Sequence, residues 1–493
     1  MKTEPLYPEP PAALVRPSVL HVVGYVGPGV IIASVTIGSG ELVYASRSGA
    51  IFGYGLLWCF FYAGLFKAIQ VYTAARFITL TGEHPIETWK QLPGPWCWFP
   101  LLIAVPAVAL MPIAFSAIPE ILGGFIHRLV GMEMSGPGIG PWGYLEFWIN
   151  FWSSLLLLLC MAMALGSTYK VLERVSIVVL GGIVVCVGAA VVIVGPDLIQ
   201  LLNGMLLPRR PVYPDWLLEA PQYAKEFQDR NPWLEVSIYL GAVGGGAYDY
   251  IGYIGMLREK KWGLAGRRVA TREEIATAVA DNTDSAQITL TRAKQWRRAP
   301  LFDTVASFAF VILVTLLFAI LAKLVLNREM AVPANNDLLN EQETFLTALH
   351  PELRWVYRLG VFLAFIGTLY GAFEVYRHTF VESARAVVPK LITPQRLPAI
   401  RMGVVTYCLL GGLTMMWLPE RVAGTIISRM TFGSIISGAA SCGLWCFAML
   451  WADRVRLPAP LRMSLPMQVL TIIAGLGMTI LGVIVTVVYF RPS

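Results

Sequence analysis

Charge is what this sequence is short of. Only 14% of its 493 residues are Asp, Glu, Lys or Arg, against 56% apolar, and the mean hydropathy is +0.63. A soluble domain carries roughly 25% charged residues because its surface must meet water. Soluble globular, disordered and fibrous classes are therefore excluded together. The 45 Gly and 32 Pro follow no Gly-X-Y period, and transmembrane helices accommodate both residues better than soluble helices do. No cysteine pair has CxxC spacing. The seven cysteines lie almost entirely in or beside apolar stretches, a pattern of reduced, buried side chains that gives neither a disulfide framework nor a zinc knuckle. There is no GxxxxGK[ST] phosphate loop and no HExxH pair, and the five histidines are scattered. That leaves no cue for an ATP-driven motor, a metalloprotease or any other enzyme, and no cofactor is expected. Residues 1–21 are Pro-rich and lack an apolar core segment, so they read as a cytoplasmic tail and not as a signal peptide.

What is present is a series of long apolar runs. A bilayer core needs about 20 apolar residues per helix. On that measure the sequence predicts eleven spans, at 22–51, 53–80, 97–126, 144–166, 169–194, 233–257, 301–326, 354–379, 400–418, 424–452 and 465–490. Lys and Arg decide their orientation. They concentrate after the sixth span (Arg258, Lys260, Lys261, Arg267, Arg268 and onward), after the eighth (Arg377, Arg385, Lys390, Arg396, Arg401) and after the tenth (Arg454, Arg456, Arg462). This puts the N-terminus in the cytoplasm and the C-terminus outside, in the inner or plasma membrane of a cell. The formal charge of +7 is then mostly topology, and nucleic acid is not an expected partner. The predicted organisation is a tail (1–21), a first five-span unit (22–195), an external connection (196–232), a second five-span unit (233–452) containing a basic cytoplasmic loop (258–300), and a last span (465–490).

Spans one and six stand apart. Gly38, Ser39 and Gly40 interrupt the first near its middle, followed at once by Glu41; Gly244, Gly245 and Gly246 interrupt the sixth, with Asp249 within one turn. Each Gly costs a helix about 1 kcal/mol relative to Ala. The glycines could simply permit tight helix crossings. Their matching positions, in the first span of each five-span unit, favour a pair of unwound segments instead. An odd-numbered unit repeated in one chain inserts with opposite topology, and paired broken helices then form a site near the midplane.

VGPGVIIASVTIGSGELVYA (26–45) resembles the first helix of Nramp-type (natural resistance-associated macrophage protein-like) divalent-metal transporters. TYKVLERV (168–175) looks like the start of the fifth Nramp helix, and 302–320 like the seventh. The resemblance implies an all-α polytopic fold of about eleven helices, the five-plus-five inverted repeat of the LeuT-like amino acid–polyamine–cation superfamily. It also implies transport of a divalent cation by alternating access around helices one and six. The departures matter equally. The family's Asp-Pro-Gly-Asn is replaced here by Gly38, Ser39, Gly40 and Glu41, and its Met-Pro-His by Tyr248, Asp249 and Tyr250. Losing a thioether and gaining carboxylates describes a harder oxygen site, which suits Mg²⁺ or Mn²⁺.

An ionisable side chain within a span costs about 3 kcal/mol or more, so each needs a role. Glu41 and Asp249 are the candidate metal ligands; the competing role is capping, since a carboxylate in a helix's first turn is stabilised by the dipole alone. If both are ligands, the site carries −2. Gly38, Ser39, Gly244 and Gly246 would add carbonyls or a hydroxyl, and Tyr248 and Tyr250 phenolic oxygens. Lys67 and Gln70 share a face of span two and could line a pathway, although Lys67 could also pair with Glu41 or snorkel. Asp303 and Thr304 begin span seven, as a cap or a cytoplasmic entrance. Span three has no acid in its middle and span six no histidine, so the resemblance does not extend to proton coupling. Two alternatives remain: the same fold carrying a small amino acid or amine, or a membrane receptor or scaffold that transports nothing.

Overall fold

The computed structural model describes residues 4–17, 37–165, 169–280, 283–333, 339–347 and 350–491. Helices dominate, and among the described residues no strand forms beyond one isolated bridge between Ile139 and Trp142. In chain order the principal helices begin with α1 (Ala45–Phe52), α2 (Leu57–Thr81), α3 (Trp98–Ala109), α4 (Met111–Leu129), α5 (Tyr144–Leu165) and α6 (Tyr169–Val194). Next come α7 (Trp233–Ala242), α8 (Ala247–Lys260), α9 (Arg298–Leu324), α10 (Leu353–Val387) and α11 (Leu397–Trp417). The last are α12 (Ile426–Ser434), α13 (Ser441–Arg456) and α14 (Leu465–Phe490). Seven stretches of the described chain are long and apolar enough to cross a membrane by length and composition. The other expected spans fall on α2, on α6, and on the interrupted helices at 37–52 and 233–260. Residues 22–36 of the expected first span lie outside the described residues.

The apolar runs form helices because their polar residues fall on faces that other helices cover. On α2, Lys67, Gln70 and Arg76 are all buried, so this helix turns its charges inward, away from lipid. It ends at Gly82, whose φ of 71° supplies the left-handed turn that stops it. α10 is 35 residues long, about 52 Å at 1.5 Å per residue, and so outruns a bilayer core. α8 packs along α10, α9 along α1 and α2, α4 along α5 and α11, and α13 along α14. Glycines set the closest of these crossings: a Cβ on Gly252 of α8 would strike the Val375 carbonyl of α10. Spans three and ten are each wound in two pieces. α3 gives way to α4 at Leu110, next to Pro106 and Pro112, and a π-type turn at Ile435–Ala440 separates α12 from α13.

Ion pairs tie each end of the bundle. At the basic end, Arg258 of α8 bridges Glu87 (2.9 Å) and Glu382 of α10 (3.2 Å), and Arg76 of α2 holds Asp453 of α13 (2.6 Å). At the opposite end, Arg47 of α1 is fully buried and reaches Glu235 of α7 (3.1 Å), Glu226 (2.7 Å) and the Pro333 carbonyl (2.8 Å). The basic loop contains two helices, Arg272–Ala280 and Asp284–Trp296. Against the second lies the N-terminal tail: Trp296 donates to the Pro8 carbonyl, Arg292 to that of Tyr7, and the buried Tyr7 hydroxyl to Leu80 on α2.

Between α2 and α3, His84 is completely buried. Its Nδ1 accepts from the Ile86 N–H at 3.2 Å and its Nε2 faces the Ile251 carbonyl at 3.1 Å, an arrangement that a neutral ring satisfies. Burial holds this imidazole down from 6.5 to about 4. Because the folded pKa is depressed, the unfolded chain takes up this proton as pH falls below 6.5 while the folded chain does not. The stabilisation is complete above that pH and drains away toward pH 4. The melting temperature of the detergent-purified protein should therefore drop across this window, and His84→Gln should flatten the slope; equal slopes would remove His84 as the cause.

Candidate functional site

The sixth span breaks where its glycines predict. α7 ends at Ala242 and α8 starts at Ala247. Between them Gly244 and Gly245 take φ of 67° and 81°, a left-handed region in which any Cβ is strained. Such a gap leaves the last carbonyls of α7 and the first N–H groups of α8 without helical partners. In an apolar slab each must find a substitute.

The substitutes are four side chains from three elements. Asp249 accepts the Gly246 N–H at 2.7 Å and so caps α8. Tyr250 donates its hydroxyl to the Gly244 carbonyl (2.8 Å) and the Gly245 carbonyl (3.3 Å). Glu41, from the first span and fully buried, accepts the Gly244 N–H at 3.1 Å. Lys67 of α2 sends its Nζ into the end of α7, within 2.6 Å of the Leu240 carbonyl, 3.2 Å of Gly241, 2.8 Å of Val243 and 2.5 Å of Gly245. The structure thus brings Glu41, Gly244, Gly246, Asp249, Tyr250 and Lys67 together around one break.

It also revises several expectations. Lys67 neither snorkels nor lines an open pathway; it is wholly buried among backbone carbonyls. The first span is not unwound over its described part, because Ile37–Tyr44 is a continuous π-type helical stretch leading into α1. Its glycines serve close approach instead: a Cβ on Gly38 would meet the Thr368 side chain of α10, and one on Gly40 the Ala242 carbonyl. Ser39 lies in the same stretch, and its side chain is outside the described residues. Asp303 and Thr304 are not at the helix end, since α9 begins at Arg298. Asp303 is buried in its second turn, where it accepts the Tyr253 hydroxyl at 2.7 Å and ties α9 to α8. Gln70 is buried beside Lys67 on α2.

A cavity of about 110 Å³ opens against the break, lined by Gly246, Tyr248, Asp249, Tyr376 and Ser437, among others. Asp249 is partly exposed to it, whereas Glu41 lies beneath and is not among its lining residues. Tyr376 and Ser437 are additions to the residues read from sequence. A signal for Ser437 was there in the small, polar run Gly433, Ser434, Ser437, Gly438 of span ten. Among the described residues no three His, Cys, Asp or Glu gather closely enough to hold a metal ion. A cation in this cavity would therefore depend on Asp249, backbone or hydroxyl oxygens, and water.

A profile of the family described as natural resistance-associated macrophage protein-like (Nramp) matches residues 29–220. Over that stretch the chain is similar to Nramp proteins. The matched stretch includes Glu41 and Lys67 and ends before the sixth span. In three dimensions the likeness extends further. The manganese transporter of Eremococcus coleocola, solved with an aromatic bis-isothiourea compound, superposes with a TM-score of 0.65 at 12% identity, over 98% of this chain and 90% of that one. A mutant of the same transporter gives the same values. At such low identity this is a likeness of fold alone: the chain shares the all-helical fold of that protein. No curated protein matches in sequence.

The break makes two stability predictions. Tyr250→Phe should cost about 1 kcal/mol through the lost hydroxyl. Gly244→Ala should cost about 1–2 kcal/mol for a left-handed alanine, and more because its Cβ would press on Phe308. Both should lower the melting temperature in detergent, with Gly244→Ala the larger; the reverse order would mean that backbone strain does not govern the break.

Proposed function

We propose that this Nramp-related protein carries a divalent cation, Mg²⁺ or Mn²⁺, across a cell membrane by alternating access at the break between α7 and α8. The observation that carries this reading is Asp249, a carboxylate at an interrupted helix in mid-span, partly exposed to a polar-edged cavity. A void of about 110 Å³ has room for several waters, so a cation that dehydrates reluctantly could enter partly hydrated. The family match and the shared fold with a manganese transporter support the same substrate class. In the described conformation both carboxylates cap backbone N–H groups. Binding would therefore exchange a capping bond for a metal bond, with Asp249 as first ligand and Glu41 as a deeper negative charge that holds the break open from the α1 side.

Uptake into the cell needs no coupled ion on energetic grounds: two charges crossing 100 mV gain about 4.6 kcal/mol. The Lys/Arg distribution supports a cytoplasmic N-terminus and an external C-terminus in eleven crossings. A second reading is favoured by the tyrosines on the cavity wall, Tyr248 and Tyr376. Aromatic faces attract organic ammonium groups, which would make the cargo a small amine.

Reconstituted protein in liposomes with an inside-negative potential separates the two. Uptake of Mg²⁺ or Mn²⁺ is expected, reduced roughly tenfold to a hundredfold by Asp249→Asn as a charge-assisted contact is lost. Glu41→Gln should slow uptake less, since its amide oxygen can still accept the Gly244 N–H. Absence of metal uptake from vesicles holding folded protein, with uptake of a labelled small amine, would replace the metal reading by the second.

A further inference from the structure

The helix α7 ends on carbonyls that point at a charge, and that charge belongs to the protein. Four oxygens, from Leu240, Gly241, Val243 and Gly245, stand 2.5–3.2 Å from one nitrogen, Lys67 Nζ. An ammonium has three N–H donors, so four carbonyls around it make a coordination cage as much as a set of hydrogen bonds. The cage arises because the C-terminal carbonyls of a helix have no helical partners and because the negative end of the helix dipole is there. Lys67 is completely buried, and its stem comes from a different helix, α2. Cages of backbone carbonyls in the membrane are what select monovalent cations in channels, where they replace the ion's water.

We propose that the carbonyl end of α7 is a monovalent-cation site, next to the cavity at Asp249 that Gly241 and Gly245 also line, and that its resident cation is the Lys67 ammonium. The chain supplies as a tethered side chain what would otherwise be a free, exchangeable ion. The charge at the break follows: Glu41 and Asp249 formally give −2, and Lys67 makes it −1. Removing the tether should then create a site for an exogenous cation of ammonium size, namely NH₄⁺, K⁺ or methylammonium.

The experiment is chemical rescue of Lys67→Ala in the full-length protein, read by melting temperature and therefore independent of which substrate the chain moves. The variant should melt below wild type and regain part of the loss, saturably, as NH₄⁺, K⁺ or methylammonium is added. N-methylglucamine, too large for the cage, should give no recovery at equal ionic strength. Wild type, its cage already filled, should show no such difference between cations. Lys67→Met, with an uncharged stem left in the cage, should melt low and stay unresponsive. Recovery that is equal in N-methylglucamine, or absent in K67A, would overturn the proposal. If K67A yields no folded protein, Lys67→Gln carries the test: its amide leaves the carbonyls without a charge. A lowered melting temperature raised selectively by K⁺ or methylammonium supports a cation site, and a melt identical to wild type overturns it.

Discussion

Everything at the centre of this protein follows from one constraint: a helix interrupted inside an apolar slab must satisfy its backbone polar groups without water. The gap between α7 and α8 is short, yet it draws in Glu41 from the first span, Lys67 from the second, and Asp249 and Tyr250 from the second half of the broken helix itself. Each of these residues would be an expensive intruder in a continuous helix. Together they are the reason a discontinuous one is stable, and they give opposite charges to the two ends that meet there. A cation at the carbonyl end and a carboxylate at the amide end both match the helix dipoles.

Much of this was legible in the sequence, for reasons that can be stated residue by residue. Every expected span from the second onward coincides with helix because apolar run length is dictated by the bilayer and needs no tertiary information. The sixth-span break was legible because three consecutive glycines are expensive in a helix. Capping by Asp249 was legible because it depends on residues three apart. What could not be read was anything depending on which helices touch. Lys67 is 173 residues from the Leu240 carbonyl it contacts, and no local pattern reports that α2 lies against α7. The same holds for the first span: Gly38 and Gly40 look like a break in sequence, but their partners, Thr368 and Ala242, reveal them as contact points. Composition alone does not separate a glycine needed for its φ from one needed for its missing side chain.

The break also divides labour between the two carboxylates that the sequence treats as equals. Asp249 meets the cavity, while Glu41 is sealed under it against Gly244. The expected pair of ligands becomes one accessible group and one buried charge. The cavity wall combines aliphatic Leu110, Ile113, Ala114 and Ile118 with Tyr248, Tyr376, Ser434, Ser437, Asp249 and Met430 of α12.

The Arg47 knot has a consequence for how the protein is made. Arg47 and Glu235 are both fully buried and 188 residues apart. At about 5–20 residues per second of synthesis, the arginine emerges roughly 10–40 s before its carboxylate exists. The first span must therefore wait near the lipid headgroups, or in the insertion machinery, with a guanidinium it cannot yet bury. It can settle only when the sixth span arrives. Birth order and assembly order differ in this chain: its first helix cannot complete its contacts before its sixth exists.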